Sequence, residues 1–492
     1  LIGIIVWVVR QKQNDSADYF LGGRDATWLA IGASIFASNI GSEHLIGLAG
    51  AGASSGMAMA HWEIQGWMIL ILGWVFVPFY TRSMVYTMPE FLERRYNPQS
   101  RTILSVISLV SYVLTKVAVT VYAGGLVFQQ VFGIKELWGI DFFWIAAIGL
   151  VVLTALYTIF GGMKSVLYTS VLQTPILLLG SLIILVLGFK ELGGWDEMMR
   201  VCGAVTVNDY GDTMTNLIRS NDDANFPWLG ALIGSAIIGF WYWCTDQFIV
   251  QRVLSGKNEM EARRGTIFGA YLKLLPVFLF LIPGMIAFAL HQKYIGAGGE
   301  GFLPMLANGT ANADAAFPTL VAKLLPAGVK GLVVCGILAA LMSSLASLFN
   351  SSAMLFTIDF YKRFRPETPE KKLVGIGQVA TVVIVILGIL WIPIMRSVGD
   401  VLYTYLQDVQ SVLAPGIAAA FLLGICWKRT SAQGGMWGLI AGMVIGLTRL
   451  GAKVYYSNAG EVADSTFKYL FYDMNWLFFC GWMFLFLSLI HI

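Results

Sequence analysis

The chain has 492 residues, of which 57% are hydrophobic and 12% are charged. Because a soluble globular domain carries roughly 25% charged residues, this composition excludes a soluble protein and predicts a polytopic membrane protein. The net charge of +3 gives no sign of a nucleic-acid partner, and the four histidines and five cysteines, without metal-ligand spacing, argue against a haem or polynuclear metal enzyme.

Hydropathy predicts about twelve spans long enough to cross a bilayer core of about 30 Å. They cover roughly residues 28–55, 57–80, 103–132, 141–161, 165–189, 227–250, 266–290, 327–358, 373–395, 400–426, 433–449 and 468–490. Residues 1–9 are apolar but too short to cross, so we expect residues 1–27 to be a truncated leading helix and a cytoplasmic loop. Lysine and arginine, including Arg252, concentrate in the loops that this alternation places in the cytoplasm.

The core spans divide into two groups, over residues 28–189 and 227–427, which a polar outer loop at 190–226 separates. An odd number of spans in each group turns the second group upside down relative to the first. The sequence therefore predicts an all-α protein with two inverted repeats, which is a transporter architecture. We expect residues 428–492 to form peripheral helices.

Polar residues interrupt the first span of each predicted repeat. The first interruption reads "ASNIGSEHLIGLAGAGA" at residues 37–53, and the second reads "IIGFWYWCTDQ" at residues 237–247. Irregular backbone at membrane depth is stable only where it faces protein or a water-filled cavity. Both interruptions therefore predict broken helices that line a central site.

Five hydrogen-bonding side chains lie in or beside the spans of both predicted repeats. They are Asn39, His44, Glu63, Lys273 and Gln407. Ionisable groups inside a membrane mark pathways or partners, because each is costly unless it is paired or hydrated. Glutamate accepts, lysine donates, and asparagine, glutamine and neutral histidine do both. Because the hydroxyls of a sugar need that mixture, we expect these residues to converge on a sugar.

Two further ionisable residues, Lys116 and Asp246, also lie inside predicted spans. They can serve a transport pathway, but a structural role stays open, in which Lys116 pairs with a carboxylate or Asp246 caps a backbone break. An enzyme that uses Glu63 and Asp246 as an acid/base pair is the least favoured interpretation, since nothing in the sequence places them together.

The run "LMSSLASLFNSS" at residues 341–352 places several hydroxyls on one helical face. Small residues of this kind can simply allow close helix packing. Alternatively, they bind a hard cation, and sodium is suited by neutral oxygens together with the carbonyl ends of broken helices. The expected ligands are the hydroxyls of Ser343 and Ser344 and the carbonyls of Ala37, Ile40 and Ala340.

Aromatic residues flank the interruptions. They are Trp62, Trp241, Tyr242, Trp243 and Tyr403. Many tryptophans and tyrosines of membrane proteins belong to interfacial belts, which leaves a structural role open. The other interpretation is that these rings stack on the C–H face of a sugar or close a site.

Long motifs from Ser16 to about Arg449 resemble the sodium/solute symporter family, and most closely its sodium/glucose cotransporter branch. The motifs are "SADYFLGGRDATWLAIGASIFASNIGSEHLIGLAGAGA", "VYTMPEFLERRY", "YTIFGGMKSVLYTSVLQT", "WYWCTDQFIVQRVLSGKN", "GAYLKLLPVFLFLIPGM", "LAALMSSLASLFNSSAMLFTIDFYK" and "PGIAAAFLLGICWKRTS". The resemblance implies the leucine-transporter fold, with extra peripheral helices, and sodium-coupled uptake by alternating access.

The resemblance also implies roles for individual residues. Its substrate contacts are Asn39, His44, Glu63, Lys273 and Gln407. Its inner gate is Tyr242, which also contacts the substrate, helped by Trp243, and its outer gate is Leu48, Trp62 and Tyr403. Its sodium ligands are the oxygens of Ala37, Ile40, Ala340, Ser343 and Ser344.

Two positions depart from members that couple two sodium ions. Ser170 stands where the branch usually has aspartate, and Ala346 replaces a threonine. We therefore expect one sodium per sugar. His44 and the run "FWYWCTDQ" resemble the vertebrate transporters, which favours glucose or galactose.

Other functions remain open at this point. The solute can instead be myo-inositol, sialic acid, proline or a vitamin, or the chain can be a sodium-dependent sugar sensor or a sodium-gated conductance. The short loops favour a multi-pass protein of a bacterial inner membrane, with the lipid bilayer and a small-molecule solute as its partners.

Overall fold

The computed structural model describes residues 15–41, 43–306, 309–396, 402–458 and 464–490. Within these helices, the side chains of residues 114–115, 394–396, 402–408 and 457–458 lie outside the description. The predicted leading helix at residues 1–9 also lies outside the described residues.

The described chain is built almost entirely from helices. The α-helices are α1 Ser16–Leu21, α2 Trp28–Asn39, α3 Ala49–Ser55, α4 Ala60–Ile64, α5 Gly66–Ile71, α6 Val77–Ser83, α7 Met88–Arg95, α8 Pro98–Ser111, α9 Ala118–Phe132, α10 Phe142–Leu192, α11 Trp195–Gly203, α12 Trp228–Phe240, α13 Gln247–Leu254, α14 Glu259–Leu272, α15 Ile282–Gly296, α16 Ala316–Leu324, α17 Ala327–Met354, α18 Lys362–Phe364, α19 Glu370–Arg396, α20 Leu402–Cys426, α21 Ala432–Asn458, α22 Thr466–Lys468 and α23 Trp476–Ile490.

Short π-helical and 3-10 segments join many of these helices. The π-helical segments are Glu43–Leu48, Leu72–Phe76, Tyr112–Val117, Trp241–Thr245, Val277–Leu281, Leu355–Tyr361 and Tyr469–Asp473, and the 3-10 turns are Gly22–Arg24, Gly56–Met59 and Ala313–Ala315. One small antiparallel hairpin pairs β1 Glu136–Leu137 with β2 Ile140–Asp141. Because π-helical turns often occur at functional sites, the segments beside the two predicted interruptions are of particular interest.

Each predicted span coincides with a helix or a run of helices in the described residues. By length and apolar composition, however, eight described helices can cross a membrane, or nine if the bent run from residue 466 to residue 490 forms one span. This number is below the predicted twelve for two physical reasons. Some neighbouring spans continue as one long helical run, and the broken spans consist of pieces too short to cross alone.

Helix α10 illustrates the first reason. It runs for 51 residues, but Gly162 has φ 53° and ψ −150°, which is not helical. A Cβ atom at this position would lie 2.5 Å from the Tyr19 carbonyl oxygen, so only glycine permits the close approach. The kink divides α10 at the boundary between the predicted spans 141–161 and 165–189.

Burial distinguishes the central helices from the peripheral ones. The most apolar stretch of α17 is 78% buried within the protein, whereas that of α19 is 39% buried. α17 packs along α10, and α2 packs against α14. The centre of the molecule therefore contains α17 and the two predicted interruptions, while the exposed apolar faces of α10 and α19 are suited to lipid.

The predicted outer loop at 190–226 contains α11 and a segment that covers the end of α3. The Met57 amide donates to the Met214 carbonyl over 2.7 Å, and the Arg219 guanidinium donates to the Ser55 carbonyl. The division into repeats at 28–189 and 227–427, with peripheral helices at 428–492, stays a prediction.

Candidate functional site

The first predicted interruption is a break between α2 and α3. α2 ends at Asn39, and Ile40 adopts an extended conformation with φ −79° and ψ 93°. Gly41 follows against the serine-rich helix α17, where a Cβ atom would lie 2.7 Å from the Ser344 hydroxyl oxygen. The close approach of α17 therefore requires glycine here, and helical structure resumes at Glu43.

The second interruption lies between α12 and α13. The π-helical segment Trp241–Thr245 follows α12, and Asp246 is extended with φ −74° and ψ 127°. The Asp246 carboxylate accepts a hydrogen bond from the Phe248 amide and so caps the N-terminus of α13. We refer to α2 with α3 as the first broken helix and to α12 with α13 as the second.

Four of the predicted solute contacts meet at the ammonium group of Lys273. Its Nζ atom lies 2.5 Å from Asn39 Oδ1, 2.7 Å from His44 Nε2 and 2.7 Å from Glu63 Oε2. All four side chains are at most 6% exposed. Lys273 and Glu63 compensate each other's charge, as buried ionised groups require, so the cluster presents hydrogen-bonding groups with little net charge.

The His44 ring lies between the two charged groups of this cluster. Its Nε2 atom lies 2.7 Å from the Lys273 ammonium and 3.2 Å from Oε1 of Glu63, so it accepts from the first or donates to the second according to the tautomer of the ring. Among the residues that the structure describes, the buried Nδ1 has no hydrogen-bond partner. This nitrogen is therefore available to a bound molecule, as a donor or as an acceptor.

Tyr242 joins this cluster to a second one. Its hydroxyl accepts from Asn39 Nδ2 over 3.0 Å, and the Lys116 ammonium lies 4.5 Å from the centre of its ring. Lys116 in turn pairs with Asp246 over 2.5 Å, and the Tyr112 hydroxyl donates to the same carboxylate. The structural pair that the sequence left open for Lys116 is thus present, and it lies directly beside Tyr242.

A small cavity of about 30 Å³ lies at the cluster around Lys273. Its lining includes the predicted residues Asn39, His44, Leu48, Trp62, Glu63, Tyr242, Trp243 and Lys273. Trp62 is half-buried and meets the ring of Trp476 from α23 edge-on, at 5.7 Å between centroids. The lining of the cavity therefore combines aromatic rings with polar side chains.

The remaining predicted solute contact, Gln407, and the predicted gate residue Tyr403 stay predictions. Tyr403 and Gln407 lie on the first turns of α20, where the side chains are outside the described part of the structure. The lining contains three polar residues that the sequence did not assign to the solute site: Glu43, Gln65 and Gln410. Gln410 lies three residues after Gln407, which places both on one helix face. That spacing was a signal available in the sequence.

The predicted sodium ligands lie where α2 meets α17. The Ser344 hydroxyl donates to the Ser38 carbonyl over 2.8 Å, and the Ser343 hydroxyl lies 3.2 Å from that of Ser170. Ala37, Ile40 and Ala340 are buried at the same junction. The structure therefore brings the predicted oxygens onto two neighbouring segments. Their role in binding an ion stays a prediction.

The described residues contain no group of three or more histidine, cysteine, aspartate or glutamate side chains that could hold a metal ion. Glu63 and Asp246, the pair imagined for an enzyme, have separate lysine partners. Each carboxylate is thus committed to its own ion pair.

Comparison with known proteins agrees with this geometry. A sequence model described as the sodium:solute symporter family matches residues 19–442. Sodium/myo-inositol cotransporter 2 of Homo sapiens is 38% identical over 464 residues, which are 92% of this chain and 68% of that protein. The sodium/myo-inositol cotransporter of Canis lupus familiaris is 37% identical over 510 residues, covering 97% of this chain and 70% of that protein.

Two solved structures extend the comparison to the fold. The substrate-bound outward-open state of a Na+-coupled sialic acid symporter has a TM-score of 0.77 at 21% identity, covering 100% of this chain and 95% of that one. MhsT in complex with L-phenylalanine has a TM-score of 0.58 at 13% identity, covering 95% and 99%. These likenesses confirm the predicted leucine-transporter fold.

Proposed function

Because the chain belongs to the sodium:solute symporter family, we propose that it imports a neutral polyhydroxyl ring solute together with sodium. As a member of this family it is a multi-pass, sodium-coupled membrane transporter and not an enzyme. The proposal concerns the finer points, which are the solute, its contacts, the ion ligands, the number of ions and a bacterial inner membrane as its location.

The buried cluster at Lys273 is the observation that carries this proposal. It offers a cationic donor, an anionic acceptor, an amide and the unpartnered Nδ1 atom of His44 within one cavity. Hydroxyl groups donate and accept at once, so a ring that bears several of them satisfies all these groups. The rings of Trp62 and Tyr242 supply the apolar faces on which its C–H groups pack.

Charge in the cavity argues against a carboxylate solute. The charges of Lys273 and Glu63 cancel over 2.7 Å, and Glu43 adds a further acidic group to the lining. An anionic solute such as sialic acid, or a zwitterion such as proline, would then bury a charge without a free partner. An uncharged solute does not meet this penalty.

A hexose such as glucose or galactose is the first candidate, and myo-inositol is the second. The second is favoured by the names of relatives that are 37–39% identical to this chain. Both candidates are uncharged rings with hydroxyls around the edge, so the Lys273 cluster suits either one.

The proposed cycle begins when sodium binds between α2 and α17. The ion ligands would be the oxygens of Ala37, Ile40, Ala340, Ser343 and Ser344. The ion stabilises the break at Ile40, which orients Asn39 and His44 toward the solute, and this shared stabilisation is the coupling. Leu48, Trp62 and Tyr403 then close the outer side, and displacement of Tyr242 and Trp243 opens the inner side. Gln407 would complete the solute contacts.

The available driving force is sufficient for accumulation. One positive charge that crosses 100 mV contributes about 2.3 kcal/mol, and a tenfold sodium gradient contributes about 1.4 kcal/mol. Together they support roughly 500-fold accumulation when one sodium moves with each neutral solute.

The test is uptake of radiolabelled glucose, galactose and myo-inositol into proteoliposomes with an inward sodium gradient or a matched potassium gradient. We expect concentrative uptake of at least one of these solutes in sodium and none in potassium. Lys273→Ala should abolish it, whereas Lys190→Ala, at an exposed lysine near the end of α10, should not. Sodium-driven uptake of sialic acid or proline alone would refute the proposal.

A further inference from the structure

The inner half of the second broken helix contains a buried charge that the transport cycle above does not use. All eight residues of α13 are buried, from Gln247 to Leu254. They include Arg252, which is 0% exposed. The sequence had placed Arg252 in a cytoplasmic loop, but α13 continues past the end of the apolar span and brings it inside the protein.

Two adjacent polar residues of α13 differ in how well they are bonded. Gln251 Nε2 donates to the Phe20 carbonyl over 2.6 Å, and Gln251 Oε1 accepts from the Ser351 hydroxyl over 2.7 Å. Arg252 Nε donates to the Ser38 hydroxyl over 3.0 Å. Among the described residues, however, Nη1 and Nη2 of Arg252 have no acceptor, and no carboxylate pairs with the guanidinium.

This arrangement disfavours the buried position of α13, which corresponds in our proposal to a closed inner side. The free-energy cost of burying a charge without a counter-ion exceeds the stabilisation that one hydrogen bond provides. The Phe248 ring, 5.0 Å from the guanidinium carbon, adds only a weak attraction. Opening of α13 toward water would hydrate Nη1 and Nη2 and remove the penalty, whereas Gln251 would lose bonds that are already satisfied.

Ser38 connects this charge to the junction proposed for sodium. Its hydroxyl lies 2.7 Å from that of Ser347, and its carbonyl accepts from the Ser344 hydroxyl. The partner of Arg252 is therefore tied to α17 by two hydrogen bonds. A change at the α2–α17 junction, such as loss of the ion, would therefore move Ser38 and alter the one hydrogen bond that the guanidinium donates.

We propose that Arg252 is a positioning residue for inward opening, whose buried and under-bonded guanidinium raises the free energy of the inner-closed form and favours release to the cytoplasm. This inference rests on the proposed function, because the step has meaning only in a transport cycle. Gln251, on the same helix, acts in the opposite sense and holds the inner side closed.

The experiment is hydrogen–deuterium exchange of the full chain in lipid nanodiscs without sodium, read on peptides that cover residues 247–257. Arg252→Met keeps the side-chain length and removes the charge. We expect exchange in α13 to slow about tenfold, which corresponds to about 1.4 kcal/mol. Arg252→Lys should stay near wild type, and Gln251→Met should speed exchange.

Faster or unchanged exchange in Arg252→Met would overturn the proposal. Exchange becomes faster if Arg252 stabilises the buried position of α13, which is the opposite of the proposed role. A change in wild-type exchange when gluconate replaces chloride would overturn it as well, because a bound anion would then neutralise the charge. If Arg252→Met fails to fold, near-wild-type exchange in Arg252→Lys together with faster exchange in Gln251→Met supports the proposal, and faster exchange in Arg252→Lys overturns it.

Uptake assays separate this inference from the proposed function. Arg252→Met should lower the maximal uptake rate about tenfold while lowering KM, because the outward-facing form is favoured. If wild-type protein shows no sodium-driven uptake of glucose, galactose or myo-inositol, the proposed function fails, and the exchange experiment still reports on α13.

Discussion

The Nζ atom of Lys273 lies 2.7 Å from Oε2 of Glu63, and both side chains are almost completely buried. The pair joins two helical segments far apart in sequence, and each partner also contacts His44. A buried pair contributes little net stability compared with apolar residues of similar size. Its value here is that it holds two strong hydrogen-bonding groups at fixed positions in the cavity.

Glu63→Gln should therefore weaken solute binding more than sodium binding. A hydrogen bond to a charged group contributes about 1.5–3 kcal/mol, so we expect the solute Kd to rise about 10- to 150-fold. Isothermal titration in saturating sodium, with Glu197→Gln at a partly exposed position as the control, measures this change. An unchanged Kd would remove Glu63 from the solute site.

The second buried pair, between Lys116 and Asp246, should contribute to the stability of the protein and to the position of Tyr242, whose ring lies beside the Lys116 ammonium. Lys116→Met leaves a buried carboxylate without its counter-ion, which destabilises the protein by about 3–5 kcal/mol. Asp246→Asn in the same chain removes that charge, and its side-chain oxygen can still accept from the Phe248 amide. The double variant should therefore recover most of the lost stability.

Thermal unfolding in detergent measures the three variants. Arg200→Met is a matched control, because it breaks an exposed ion pair with Glu197, and such pairs contribute about 0–1 kcal/mol. If the double variant is no more stable than Lys116→Met alone, the charge of Asp246 is not the cause.

The serines of α17 make a prediction about the ion. Ser343→Ala or Ser344→Ala should raise the sodium concentration for half-maximal uptake at least tenfold, since each variant removes one ligand oxygen from a site of few ligands. Ser352→Ala is the control, because its hydroxyl is buried on the same helix but has no partner among the described residues. Equal sodium activation in all three variants would place the ion elsewhere.

The sequence reveals part of this site for a simple reason. Glu63 and Lys273 are ionisable groups inside apolar spans, and a membrane interior tolerates such groups only when they have partners. Asn39 and His44 stand beside a visible interruption of a helix. These four residues could therefore be predicted as one group from the sequence.

Other parts of the site give no such signal. Gln65 is a neutral amide, and a hydropathy pattern does not say which face of a helix it occupies. Arg252 follows the end of an apolar stretch and looks like a loop residue, because hydropathy ends where polar side chains begin. The helix itself continues to Leu254, so only the three-dimensional packing shows that Arg252 is buried.

The pH dependence of stability should reflect Asp314, which lies in the 3-10 turn before α16. It lies against Gly50 in the outer half of the first broken helix, and burial raises the pKa of its carboxyl from 3.8 to about 6. The folded chain thus binds this proton more tightly than the unfolded chain. Stability from this group is fully present below about pH 4 and is lost as the pH rises through 6.

Asp314→Asn should remove that dependence, because the amide stays neutral at every pH. The measurement is the unfolding temperature between pH 4 and pH 8 for both proteins, and Asp209→Asn in the outer loop is the control. A wild-type profile that Asp314→Asn leaves unaltered would show that another group titrates.

The last prediction concerns the number of sodium ions per solute and is based on the surroundings of Ser170. Its hydroxyl donates to the Val166 carbonyl over 2.6 Å and lies 3.2 Å from the Ser343 hydroxyl. Ala346, on the same face of α17 as Met342, is fully buried and offers no side-chain oxygen. Because the first position lacks a carboxylate and the second lacks a hydroxyl, we predict that the junction binds one monovalent ion.

One sodium per neutral solute sets how the reversal potential responds to solute. A tenfold change in the solute gradient should shift it by about 59 mV, whereas two sodium ions would give about 30 mV. Reversal potentials of reconstituted protein at fixed sodium distinguish the two values, and empty liposomes correct for leak. A shift near 30 mV would mean that a second ion binds without Ser170 or Ala346 as a strong ligand, and the ion site would then have to extend beyond the α2–α17 junction.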